Sequence, residues 1–189
     1  MKNQTNKWEL IRKGEFVDLK LFKARFDWYL NKRNNEEDKM VFLDAADAVC
    51  VVALTTKGTL LLVKQFRFGV EEETLEAPGG LVDAEEDKLI AAQRELREET
   101  GYTGGKWTFL QTIQSNPVFM NNYIHQYLAV GVEKTDELKL DIGENIEVVE
   151  IQPEELKDFY EKGLIRHPHT MTALLKVFDL WEKVPLKSL

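Results

Sequence analysis

The chain has 189 residues, with 33 acids against 25 Lys and Arg and a net charge of −8. That length fits one domain, or one domain with a small extra module, and a hydrophobic share of 43% can fill a core. The acidic balance excludes a general nucleic-acid or anionic-membrane binder, which needs excess basic surface to displace counterions, and no apolar run approaches the ~20 residues that span a bilayer.

Met1 to Lys7 is polar and lacks the apolar stretch of a leader. From Val17, apolar residues alternate at Val17, Leu19 and Leu21, then change phase to Phe22, Ala24, Phe26, Trp28 and Leu30. A period of two predicts β-strand. The change of phase predicts a bulge that carries the buried face across the ribbon. The polar run 32–39 reads as a turn and 40–43 as the returning strand. So small a ribbon needs the rest of the chain or a second subunit to pack against. Residues 1–44 therefore form one module and 45–189 another.

Segments 47–55 and 59–68 read as a buried hairpin around Lys57-Gly58. It contains the only cysteine, Cys50, so no intrachain disulfide or multi-cysteine zinc site exists, and the thiol reads as buried and inert. These features together predict a soluble, cytoplasmic protein. A loop over 69–73 leads into Thr74-Leu75-Glu76-Ala77-Pro78-Gly79-Gly80, which ends in punctuation residues. Residues 84–100 lack Gly and Pro and predict a helix, ended by Gly101 as a C-cap. Further strands are expected over 106–114, 123–132 and 146–151, and helices over 153–162 and about 170–183. Strands with a central helix and closing helices indicate an α+β or layered α/β/α domain.

The central helix carries the chemistry. Glu95, Glu98 and Glu99 stand at i, i+3 and i+4, so three carboxylates share one side. Leu89, Ala92 and Leu96 form an adjacent stripe that can anchor the helix to a sheet. Like charges at this spacing repel, and a divalent cation relieves the repulsion; hard oxygen ligands suit Mg²⁺. A solvated acidic face is the other reading of such a run.

The surroundings decide between them. The sequence reads Gly80-x5-Glu86-x7-Arg94-Glu95-Leu96-x-Glu98-Glu99-x-Gly101-Tyr102. This resembles the signature of the Nudix hydrolases, departing from it only at Tyr102, where an aromatic replaces a bulky aliphatic. The resemblance implies a Nudix-type α/β/α sandwich preceded by an N-terminal antiparallel β ribbon. It also implies Mg²⁺, with Mn²⁺ as an alternative, and cleavage of a nucleoside diphosphate linked to another group. By analogy, the Gly79 carbonyl and the carboxylates of Glu95 and Glu99 are metal ligands, with Glu98 a further or bridging one. Arg94 holds the glutamates in position and counts with Glu98 among the groups that serve catalysis.

Gln65-Phe66-Arg67, Glu76-Ala77-Pro78-Gly79-Gly80 and Pro117 are similar to the pattern of ADP-ribose pyrophosphatases and their nucleoside diphosphate sugar relatives. In that subfamily the ribbon is shared across a homodimer and helps to form the substrate site. Arg67 reads as a guanidinium gripping diphosphate or sugar phosphate, or as a solvated strand-end arginine. Glu76 joins it in the expected substrate-binding set. Trp28 is equally suited to stack on a nucleobase or to pack in a core. The subfamily usually supplies a glutamate base from a loop before a late strand, which points to Glu144, with Glu147 as its neighbour. His167 and His169 flank Pro168; capping and turn roles fit them better than a zinc site.

The loop from Asn116 to Asn122 lacks the small and acidic residues common after that proline in ADP-ribose enzymes. That departure leaves the sugar or terminal group open; ADP-ribose remains the first expected substrate, with GDP-mannose and other nucleoside diphosphate sugars close behind. A non-catalytic sensor of nucleotide metabolites is the alternative of a different class. Between Gly80 and Tyr102 there are seven acids and three bases. The negative charge is concentrated where the metal is expected, and a diphosphate can approach it only through bridging cations.

Overall fold

The computed structural model describes residues 7–140, 143 and 145–179. They fall into two compact units, one ending at residue 47 with 114–123 added, the other holding 48–113 and 124 onwards.

The first unit is a four-stranded sheet of β1 (Trp8–Lys13), β2 (Val17–Asp18), β3 (Lys23–Asn31) and β4 (Glu36–Asp44). β3 pairs antiparallel with each of the other three. Segment 114–123 joins it through Leu43 N–H to the Phe119 carbonyl at 2.7 Å and Ala45 N–H to Asn121 Oδ1 at 3.1 Å. β1 carries Trp8, Leu10 and Ile11 and pairs with β3. Two expectations need correction here. The change of phase near residue 21 is a turn, closed by Leu19 N–H on the Phe22 carbonyl at 3.0 Å with Lys20 at φ 66°. The irregularity in the ladder lies instead in β1, between Leu10 and Arg12. The polar run is mostly strand: the turn closes with Asn35 N–H on Asn31 O at 2.8 Å, and 36–39 pair with β3. Long charged side chains suit an exposed strand, and Lys39 lies 4.0 Å above the Phe26 ring.

The most buried residue of the ribbon lies off the expected apolar stripe. Asp27 is 1% exposed, held by Arg25 at 2.8 and 3.0 Å. Arg25 in turn lies 4.4 Å from the Phe16 ring centre and 4.3 Å from that of Phe42. Of the apolar stripe expected inside, Val17, Leu19, Leu21 and Phe26 are exposed, while Phe22, Ala24, Trp28 and Leu30 are half-buried; Val41, the cross-strand partner of Phe26, is exposed too.

The second unit contains a six-stranded sheet. It is built from β5 (Ala48–Thr55), β6 (Leu60–Arg67), β7 (Glu72–Glu76), β8 (Tyr102–Gln114), β9 (Tyr123–Lys134) and β10 (Ile146–Ile151). The order is β10-β6-β5-β9-β8, with β7 also on β6, and β5 runs parallel to β9. The expected loop over 69–73 shrinks to a tight turn, with Glu71 N–H on the Arg67 carbonyl at 2.9 Å, and Glu72 already pairs with Arg67.

α1 (Lys88–Thr100) begins four residues later than expected. Asp87 caps it by accepting from Leu89 and Ile90 N–H at 2.9 and 3.2 Å, which satisfies amides left orphaned at a helix start. Just upstream, Glu86 is drawn into a turn with Asp83. Gly101 ends the helix at φ 75°, its N–H on the Arg97 carbonyl at 2.8 Å, as expected of a left-handed cap. A 3₁₀ turn (Pro153–Glu155) leads into α2 (Leu156–Glu161), and α3 (Pro168–Val177) follows. The expected helix to residue 183 stops at Val177, where Phe178 turns extended at ψ 141°; residues beyond 179 lie outside the described set.

β5 alternates between two cores. Val49, Val51 and Ala53 face Ala91, Ala92 and Leu96 of α1. Cys50 and Val52 join Leu60, Leu62, Leu156, Ala173 and Leu174 on the other side. The unit is thus a sheet between helix layers, and the chain is α+β. Burial, with the negative charge of Glu76 and Glu99, pushes the Cys50 thiol up to about 12, so it is inert. No helix among the described residues is long and apolar enough to cross a membrane.

Candidate active site

Three features bring the site together: the segment after β7, the buried face of α1, and the cap at its start. Pro78 and Gly80 offer their carbonyls to β5, to Val51 N–H at 2.8 Å and Val49 N–H at 2.9 Å. Gly79 N–H instead donates to Glu99 Oε2 at 2.8 Å. Side chains have no room here. A Cβ on Gly79 would lie 2.1 Å from the Val49 carbonyl oxygen, and one on Gly80 2.5 Å from the Glu95 carboxyl carbon. The two glycines therefore let the main chain lie directly on the helix carboxylates.

Arg94 ties the acidic cluster. Its guanidinium holds Glu86 twice at 2.9 Å, Glu95 at 2.7 Å, Glu98 at 3.2 Å and the Leu81 carbonyl at 3.0 Å. Hydrogen bonds from Arg94 hold the Glu86 carboxyl down at about 2. In the sequence Glu86 is only a motif position; its place as the far jaw of the clamp follows from α1 starting at Lys88 and leaving it in the preceding turn. Among the described residues, no three His, Cys, Asp or Glu side chains are drawn tightly enough to cage a metal ion as they stand. The donor chemistry nevertheless fits a hard divalent cation: Glu95 and Glu99 are buried carboxylates, Glu98 is partly open, and a glycine cradle lies against them.

Tyr102, the one departure from the signature, is buried and donates its hydroxyl to Glu150 on β10. Burial and that carboxylate push the phenol up to about 12. The larger side chain thus gains a partner and leaves the glutamates untouched.

Arg67 and Glu76 are paired, at 2.7 and 2.6 Å, with Glu76 only 1% exposed. Thr74 and His167 Nδ1, the latter at 3.1 Å, complete the surroundings of that carboxylate. Burial raises the Glu76 carboxyl, but the hydrogen bonds from Arg67 and the Thr74 hydroxyl, with the electrostatic pull of the His167 ring and of Arg67, outweigh it and hold it low. Trp28 belongs to the first unit, with Arg12 stacked 3.6 Å from its ring centre. Glu147 points to Lys64 at 3.5 Å and is exposed. Glu144 lies outside the described residues.

His167 precedes α3, and His169 meets it edge-on at 5.0 Å. Burial drives the His167 imidazole down to about 4 against the pull of Glu76. A histidine depressed from 6.5 to about 4 stays neutral in the fold while the unfolded chain takes a proton. Stability should therefore fall as pH drops from about 6.5 towards 4, by of order 3 kcal/mol. Thermal unfolding should show that acid limb, and His167→Gln should flatten it; equal slopes in the two proteins would contradict the assignment.

The NUDIX domain family description matches residues 44–174. The ADP-ribose pyrophosphatase of Bacillus subtilis is 30% identical over 167 residues, 88% of this chain and 87% of that protein. The methanol dehydrogenase activator of Bacillus methanolicus is 28% identical over 172 residues, 90% of each chain. A crystal structure of an ADP compounds hydrolase superposes with a TM-score of 0.80, covering 93% of this chain and 94% of the other at 21% identity, which speaks for the fold alone.

Proposed function

The chain belongs to the Nudix family of hydrolases, and from that premise we propose that it splits the diphosphate of ADP-ribose into AMP and ribose 5-phosphate, using Mg²⁺ or Mn²⁺. One observation carries the reading: Arg94 gathers Glu86, Glu95 and Glu98, while Glu99 meets the Gly79 amide beside them. In this reading Glu95, Glu98, Glu99 and the Gly79 carbonyl hold the metal. A divalent ion bound there would neutralise charge on the diphosphate and acidify a water.

The protein's own groups do the rest. Arg94 keeps the glutamates oriented. Water adds at one phosphorus, the bridging oxygen leaves with the other phosphate, and Glu144 takes the water's proton. Glu76 fixes the plane of the Arg67 guanidinium, which is suited to a phosphate of the substrate. Trp28 is assigned to the nucleobase as a stacking partner.

A homodimer made through residues 1–44 is part of the same proposal. It is supported by the apolar stripe of Val17, Leu19, Leu21, Phe26 and Val41 that the chain leaves exposed. Sedimentation should give a species twice the 21.9 kDa chain mass; a monomer at micromolar concentration would contradict it. An acidic chain whose one thiol is buried and reduced suits the cytoplasm.

The test is a panel of ADP-ribose, GDP-mannose and other nucleoside diphosphate sugars with Mg²⁺. Preferred turnover of ADP-ribose is expected. Preference for another member would replace the substrate, and inactivity on all of them would favour a metabolite sensor.

A further inference from the structure

We propose that Thr170, in the first turn of α3, is a positioning residue for the Gly79 segment and sets the metal affinity of the site. The inference rests on the proposed metal site and adds to it a contact from the far side of the sheet.

The segment Glu76–Gly80 is strung between three supports. Pro78 and Gly80 face β5, and Gly79 faces Glu99. Ala77, whose amide points away from β5, donates to Thr170 Oγ1 at 2.9 Å, and both residues are buried. That hydroxyl therefore serves a main-chain amide just past β7, 93 positions away in sequence. Without it, a buried N–H two residues before the proposed metal carbonyl would have no acceptor.

The hydroxyl is itself oriented. His167 Nδ1 lies 3.1 Å from Thr170 Oγ1 and 3.1 Å from Glu76 Oε2. An ionised carboxylate only accepts, so the ring proton sits on Nδ1, where Glu76 Oε2 and Thr170 Oγ1 share it as acceptors. The turn 167–170 thereby holds both the side chain of Glu76 and the backbone of Ala77.

α3 is a firm anchor for this. Gln126, fully buried, donates to the His169 carbonyl at 2.8 Å and to Thr172 Oγ1 at 2.9 Å. Ala173 and Leu174 pack beside Cys50 and Val52 of β5. A rigid second layer of this kind orients ligands it does not touch, and its loss typically costs 10–100-fold in metal affinity.

The experiment measures Mn²⁺ binding to the full chain by electron paramagnetic resonance and calorimetry, alongside turnover. Thr170→Val keeps the shape and removes the acceptor. It should weaken Mn²⁺ binding roughly tenfold, with kcat at saturating metal largely preserved, and Thr170→Ser should restore the affinity. Leu174→Ala serves as a control that loosens the same helix without touching the segment; it should lower thermal stability and leave Mn²⁺ affinity alone. Wild-type affinity in folded Thr170→Val would overturn the proposal, as would an equal loss in Leu174→Ala. If Thr170→Val does not fold, His167→Ala keeps the acceptor but frees it; about threefold weaker Mn²⁺ binding is expected, and no change would overturn the proposal. Failure of the metal site itself is distinguishable: the wild-type chain would then bind no Mn²⁺, and both ideas would fall together.

Discussion

Glu99→Gln is expected to lower kcat/KM on ADP-ribose by about 10²–10³-fold, the usual cost of removing one preorganised electrostatic contact. The substitution is close to isosteric, and the amide oxygen can still accept the Gly79 N–H that Glu99 accepts at 2.8 Å. What disappears is charge. Glu99 is 3% exposed and close in sequence to Glu95 and Glu98, so neutralising it also relieves repulsion in the metal-free protein. Thermal stability without metal should therefore hold or rise while turnover collapses. A merely structural glutamate would show the opposite pairing, and turnover within twofold of normal would remove Glu99 from the site.

The second large effect is expected at Arg94. Its planar guanidinium reaches Glu86, Glu95, Glu98 and the Leu81 carbonyl together. A lysine ammonium is a point charge and cannot span those partners. Arg94→Lys should cost about 10–100-fold in kcat/KM and, unlike Glu99→Gln, should also lower stability by about 1–3 kcal/mol near neutral pH. The pH dependence identifies the cause. Glu86 is held at about 2 in the folded chain, down from an ordinary value of 4.5, so its tie to Arg94 stabilises the fold fully above about 4.5. That contribution is lost as pH falls through about 2. The gap in unfolding temperature between the two proteins should narrow across that window; a gap constant with pH would mean that the loss comes from packing.

The parts of this molecule legible in the sequence are those fixed by local spacing. The i, i+3, i+4 carboxylates and the Gly101 cap announce α1 and its acidic face, because both follow from helix geometry alone. The valines and leucines of β5 and β6 announce a buried hairpin. Less legible is whatever depends on a distant partner. The apolar stripe of β3 predicts a buried face, yet the chain buries Asp27 on the opposite side, where it pairs with Arg25, itself packed against the Phe16 and Phe42 rings. Helix α1 starts at Lys88 because Asp87 caps it, and propensity alone does not distinguish that aspartate from the acids before it. The same limit applies to the site. Glu95, Glu98 and Glu99 can be named from spacing, whereas the bond from Ala77 to Thr170 joins segments that only the three-layer fold brings together.

The central claim is metal-dependent hydrolysis at the diphosphate, and ³¹P NMR of ADP-ribose incubated with the purified chain tests it most directly. With Mg²⁺ the coupled diphosphate resonances should give way to two phosphomonoester signals, those of AMP and ribose 5-phosphate, and chelation by EDTA should stop the conversion. Unchanged diphosphate signals in the presence of Mg²⁺, or conversion at the same rate with EDTA, would contradict the account.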